Sequence, residues 1–61
     1  MATKHRTYKV TGFMLGHVIP NRTVYTDDFK QSVRIGTYWQ QDGYTVSILT
    51  WNETTQKYEK R

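Results

Sequence analysis

A chain of 61 residues that contains no cysteine has to hold itself together by packing alone. Disulfides and thiolate metal sites, the usual braces of very small domains, are excluded. A chain this short also buries only ~60% of the surface that its unfolded form exposes. One domain, 1–61, is the most it can make, and a multi-step active site with lids or a second domain does not fit. Its core comes from few residues, helped where needed by a partner or a second copy. The hydrophobic fraction of 36% is modest, whereas the aromatic fraction of 15% is high. Core and contact surface therefore compete for the same rings.

Periodicity sets out the elements. Thr7 to Leu15 reads as a strand rich in residues that suit a pleated surface. Tyr8 and Val10 share one parity, Phe13 and Leu15 the other, and Gly12 between them is expected to form a bulge. Leu15-Gly16-His17 is the expected reversal, and Val18 to Thr26 a second strand. Pro20 has no amide to donate, so that strand is expected at an edge or interrupted there. Thr26-Asp27-Asp28 marks a helix start, with short polar caps and two carboxylates at the positive end of the dipole. The helix is expected over Asp27 to Gln41. Phe29, Ser32, Val33, Ile35, Gly36 and Trp39 then share an arc of roughly 160°, one buried stripe. Gly36 implies close approach to the sheet, and Asp42-Gly43 a left-handed helix end.

Tyr44 to Trp51 is the plainest strand, with Tyr44, Val46 and Ile48 on one side and Thr45, Ser47, Leu49 and Trp51 on the other. A polar turn at Asn52–Gln56 leads to a short fourth strand at Lys57–Lys60, which sets Tyr58 beside Trp51. The fold class expected is α+β: a small two-layer ββαβ(β) domain, one helix packed on a mostly antiparallel sheet.

The ends, 1–6 and 59–61, are basic and are expected to be flexible and solvated. No apolar run follows the basic start as in a secretory signal, and no apolar stretch is long enough to span a bilayer. The expected location is the cytoplasm, with no membrane partner. Asn21-Arg22-Thr23 and Asn52-Glu53-Thr54 match a glycosylation pattern that matters only in secreted proteins.

The sequence carries little catalytic chemistry. His5 and His17 lack the further ligands that a zinc site needs. No nucleophile elbow or phosphate loop is present, and Asp27-Asp28 is better read as a helix start than as a catalytic pair. The expectation is a non-enzymatic protein with no cofactor and no metal.

The basic and aromatic residues are more informative. Lysines and arginines exceed acids for a net charge of +4. Lys4, Arg6, Lys9, Arg22, Lys57, Lys60 and Arg61 all lie outside the helix, and a meander that brings its ends together gathers most of them into one phosphate-binding patch. Tyr8, Phe13, Tyr25, Trp51 and Tyr58 are candidate stacking platforms for unpaired bases, although no familiar nucleic-acid motif is present. The same residues also suit a protein contact. With Tyr44, Val46 and Ile48 toward the helix, Phe13, Leu49, Trp51 and Tyr58 form a partner-binding patch on the open sheet face. The competing arrangement places Trp51 in the core. An edge strand offers pairing to a partner or a second copy.

The order of a strand hairpin with Pro20, a helix entered through Thr26-Asp27-Asp28 and a third strand after Gly43 resembles very small accessory proteins of bacteriophages, the T7-type inhibitors of bacterial RNA polymerase. The resemblance spans roughly Tyr8 to Trp51 and rests on layout, without a shared motif. It implies a compact binder of a host protein or protein complex, in the host cytoplasm, and assigns no residue a role. The leading expectation is therefore a binding protein that occludes or modulates a macromolecular partner, such as host transcription machinery. The alternatives are a small basic nucleic-acid-binding protein and a structural subunit that forms a homodimer through its sheet.

Overall fold

Strand, turn and helix signals resolve into five elements in the computed structural model, which describes residues 5–60. They are β1 (Tyr8–Phe13), β2 (Arg22–Thr26), α1 (Phe29–Gln41), β3 (Thr45–Asn52) and β4 (Lys57–Lys60). The strands form one antiparallel sheet in the order β2-β1-β3-β4, and α1 packs on one of its faces. The two-layer α+β domain expected from the sequence is the one observed, fourth strand included.

The topology dictates where the core sits. β2 and β3 each run antiparallel to β1, so they are parallel to one another across it. Strands so related need a crossover, and α1 supplies it. The helix must therefore pass over β1. Val10, in the middle of β1, is fully buried, and Trp39 is only 8% exposed.

Two glycines let the layers approach. A Cβ added at Gly12 would lie 2.9 Å from the Trp39 ring, and one added at Gly36 would lie 3.1 Å from a methyl of Val46. Gly36 has the role expected of it. Gly12 does not: no bulge forms, and the β1 register runs unbroken against both neighbours. The apparent phase change arises because β1 stops at Phe13, so Leu15 belongs to the loop and has no strand parity.

The helix ends are built as their residues predict, with one shift. Asp28, not Asp27, is the N-cap, and its carboxylate accepts from the Lys30 amide at 2.9 Å. At the other end Gly43 N–H donates to Gln40 O and Tyr44 N–H to Trp39 O, with Gly43 at φ 93°, a Schellman closure.

The buried stripe is narrower than expected. Ser32, Gly36 and Trp39 are buried, but Phe29 and Val33 are 43% and 42% exposed. Phe29 leans on Tyr8 at the margin of the sheet, with ring centroids 5.4 Å apart. Val33 borders a furrow between α1 and β3 that also touches Val46 and Ile48. Much of the interior is instead polar and locally satisfied. Ser32 donates to Phe29 O, Thr11 to Ser47 O and Thr26 to the Gln31 side chain. The buried Thr50 hydroxyl has no partner among the described residues, a cost of about 1–3 kcal/mol.

The second strand also begins later than expected. Arg22, not Val18, opens β2, and Met14–Asn21 is a loop. Pro20 withholds an amide, and Asn21 closes the loop. The Asn21 carboxamide oxygen accepts from Met14 N–H at 2.9 Å, and Asn21 N–H donates to Gly12 O at 2.8 Å. Val18 and Ile19 are left 90% and 75% exposed. β2 lies at the sheet edge, and Pro20 falls in the loop that precedes it.

This packing separates two positions on one helix. Trp39→Ala is expected to cost about 3–5 kcal/mol, close to the whole stability of so small a domain. Phe29→Ala is expected to cost only about 1 kcal/mol, because much of its surface is already in water. Urea unfolding of the two variants checks this, and equal losses contradict it.

Candidate binding site on the open sheet face

Strand alternation, anchored by the Gly12–Trp39 and Gly36–Val46 contacts, assigns the faces. Tyr8, Val10, Val46 and Ile48 lie on the helix side. Lys9, Phe13, Tyr25, Leu49, Trp51, Tyr58 and Lys60 lie on the other, by their registers. Trp51 is thus on the open face, half-buried and outside the core.

What half-buries it is the N-terminal segment. The Trp51 amide donates to Thr7 O at 2.8 Å, extending the β1–β3 ladder beyond Tyr8. The His5 ring then lies flat on the indole, with centroids 3.7 Å apart and planes 7° from parallel. Tyr58 packs edge-on to Trp51 at 5.0 Å and donates its hydroxyl to Arg6 O at 2.8 Å. Burial, and then the neighbouring Tyr25 and Asp27, push the Tyr58 phenol up, so it stays a donor. Tyr25 and Tyr58 stand on the two edge strands, about 14 Å apart at the backbone. Their rings nevertheless meet at 5.6 Å by leaning over the central strands. The Lys9 ammonium sits 5.8 Å from one ring and 5.7 Å from the other, a cation held by two π faces.

Asp27 anchors the segment. Its carboxylate accepts from Thr7 N–H at 2.9 Å and from the Thr7 hydroxyl, and it pairs with Arg6 at 3.1 Å. The Thr7 amide bond is the main cause that holds this carboxyl below its usual range, with smaller help from the Thr7 hydroxyl and Arg6 and against some desolvation. The sequence reading places Asp27 in the helix; it serves the strand segment instead, because Asp28 already fills the cap. The ends are likewise engaged where they are described. His5 and Arg6 dock on the sheet, and Glu59 and Lys60 continue β4.

The rings of His5, Tyr25, Trp51 and Tyr58, with Arg6 and Lys9, line an open groove of about 720 Å³. Of the expected partner-binding residues, Leu49, Trp51 and Tyr58 line it. Phe13 shares the face but pairs with Thr45, six residues from Trp51 and so about 20 Å away. Of the expected phosphate-binding residues, Arg6, Lys9 and Lys57 line the groove, and Lys60 lies beside Leu49 in register. Arg22 is elsewhere: it pairs with Gly12, and its guanidinium lies 4.8 Å over the Tyr44 ring. Tyr8 is on the helix side and offers no platform here. Lys4 and Arg61 fall outside the described residues.

Two lining residues escape sequence reasoning. His5 looks like part of a tail until the Thr7–Trp51 bond is known. Gln56 holds φ 55° in the β3–β4 turn, a strained state for a side chain with a Cβ, and no sequence signal marks it. A separate apolar cluster, Met14, Leu15, Val18 and Ile19, is exposed in the β1–β2 loop. Among the described residues no three of His, Asp and Glu gather to hold a metal ion, and no helix is long and apolar enough to cross a membrane. Comparison with known proteins gives no match to a family model, a curated protein or a solved structure.

Because the folded pKa of Asp27 is depressed, its anchoring contribution is present above the usual carboxylate range and is lost as pH falls through the lowered value. The Thr7 amide resonance is expected to hold steady through mildly acidic pH and to move only below that range. Asp27→Ala should shift it already at neutral pH. A Thr7 transition at or above the ordinary carboxylate value contradicts the anchor.

Proposed function

We propose that the protein is a non-enzymatic binding module and that its uncovered sheet face holds a polyanionic macromolecular partner. The observation that carries this reading is the sign of the groove: Arg6, Lys9 and Lys57 line it, and among the described residues no carboxylate side chain does. Asp27 stands at its margin, paired with Arg6. Asp28 and Asp42 cap the helix, and Glu59 is held by Asn52 and Thr55. Charges of one sign along a cleft add, and they draw the opposite sign toward it. A second copy of this chain is a poor occupant, since a two-fold contact that pairs this face with itself brings two basic grooves together.

A different observation favours a protein partner. Leu15, Val18 and Ile19 are each at least 75% exposed in one loop, and contiguous apolar groups tend to mark contact sites. This loop suits the occlusion of a protein machine that the likeness to small phage inhibitors implies. It lies at the Phe13 end of β1, away from the groove, so both contacts fit on one molecule.

Elution from immobilised heparin tests the first reading. Lys9→Ala with Lys57→Ala is expected to elute at clearly lower salt than the parent. Lys30→Ala with Arg34→Ala, on exposed positions of α1, removes the same charge and should matter little. Equal shifts from both pairs mean that net charge alone is at work and contradict a site on the sheet.

A further inference from the structure

Resting on that reading of the groove, we infer that its occupant is a single strand of nucleic acid, one base of which takes the place of His5 on Trp51. Three features of the groove converge on this ligand. The first is the His5–Trp51 stack itself. A flat heteroaromatic ring already lies on the indole at 3.7 Å and nearly parallel, the arrangement in which an unpaired base stacks on an aromatic side chain. His5 is exposed and joins the sheet through a short segment held by Asp27 and Thr7. Its ring can therefore leave the indole without unfolding a strand.

The second feature is the continuity of the aromatic strip. Trp51, Tyr58 and Tyr25 succeed one another at 5.0 and 5.6 Å, and Tyr25 is 49% exposed at the far end. A strand laid across the sheet finds one platform at Trp51 and another at Tyr25. The third is the charge between and beside these platforms: Lys9 between the two tyrosines, Lys57 on the lining, Lys60 in register with Leu49. Phosphates linking successive bases meet cations there. A duplex offers this face only its phosphates, because its base faces are stacked on one another. An acidic peptide satisfies the lysines but has no flat ring for each aromatic. The commitment is to a strand, with duplex, acidic polypeptide and free nucleotide as arms of the test.

Anisotropy of a labelled ten-residue oligo(dT) measures the binding, with unlabelled duplex of mixed sequence, polyglutamate and thymidine monophosphate as competitors. The single strand is expected to bind, with a salt slope of about −2, as for three phosphate contacts on an unpaired strand. Trp51→Ala should weaken it about tenfold or more, and Tyr25→Ala, at an exposed position, should weaken it several-fold even if the Trp51 variant folds poorly. His5→Ala should raise affinity, since the strand no longer displaces the imidazole. The duplex, polyglutamate and the mononucleotide should compete weakly. Competition by duplex or polyglutamate as strong as by single strand overturns the strand assignment and leaves the polyanion reading in place. Mononucleotide competition equal to that of the strand also overturns it. A loss of affinity with His5→Ala overturns the displacement of His5. Absence of binding to oligo(dT) together with absence of retention on heparin overturns both readings.

Discussion

The contact of Trp39 with Gly12 is the interaction on which the rest of this domain depends. β2 and β3 lie on either side of β1, so the helix that joins them has to cross β1. A crossing helix needs a large side chain to fill the gap and a place on the strand with no side chain in the way. Trp39 and Gly12 meet those needs, with 2.9 Å between the ring and the position of an added Cβ. Gly36 repeats the device against Val46. Among the described residues Val10 and Trp39 are the buried hydrophobic ones, so this contact has little reserve beside it.

A single helix covers a single face, and this leaves the other face for contact. The uncovered side is not a bare sheet. The N-terminal segment is latched by Asp27, placed against β3 by the Thr7–Trp51 bond and steadied by the Tyr58 hydroxyl on Arg6. These bonds bring the segment at His5–Thr7 alongside β3 and β4 and set Arg6 and Lys57 around the aromatic residues. Local features thus support one another. Asp28 caps the helix, which frees Asp27 for the latch. The latch holds His5 over Trp51, and the leaning tyrosines hold the Lys9 ammonium between them.

Much of the fold was legible because its signals are local. The period-2 run before Trp51, the Asp-Asp helix start and the Asp-Gly helix end each state their own geometry. What was misread depends on distant contacts. Gly12 looks like a bulge unless Trp39 is known to sit on it, and Val18 and Ile19 look like a strand unless Asn21 is known to close the loop behind them. Phe29 and Val33 fall on the apolar stripe by angle, yet the helix positions that are buried are Ser32, Gly36 and Trp39. The open-face placement of Leu49, Trp51 and Tyr58 followed from alternation alone. The part of His5 did not, because it rests on a backbone bond between Thr7 and Trp51 that residue types do not encode.

The central claim is a division of labour between the two faces of one sheet. Amide chemical-shift mapping during titration with a short single-stranded oligonucleotide tests it most directly, since it reports on every strand and the helix at once. The account predicts shifts at Lys9, Tyr25, Leu49, Trp51 and Tyr58, with Gly36 and the outer helix positions Lys30 and Arg34 unmoved. Shifts concentrated on the helix, or spread evenly over the molecule, would contradict it.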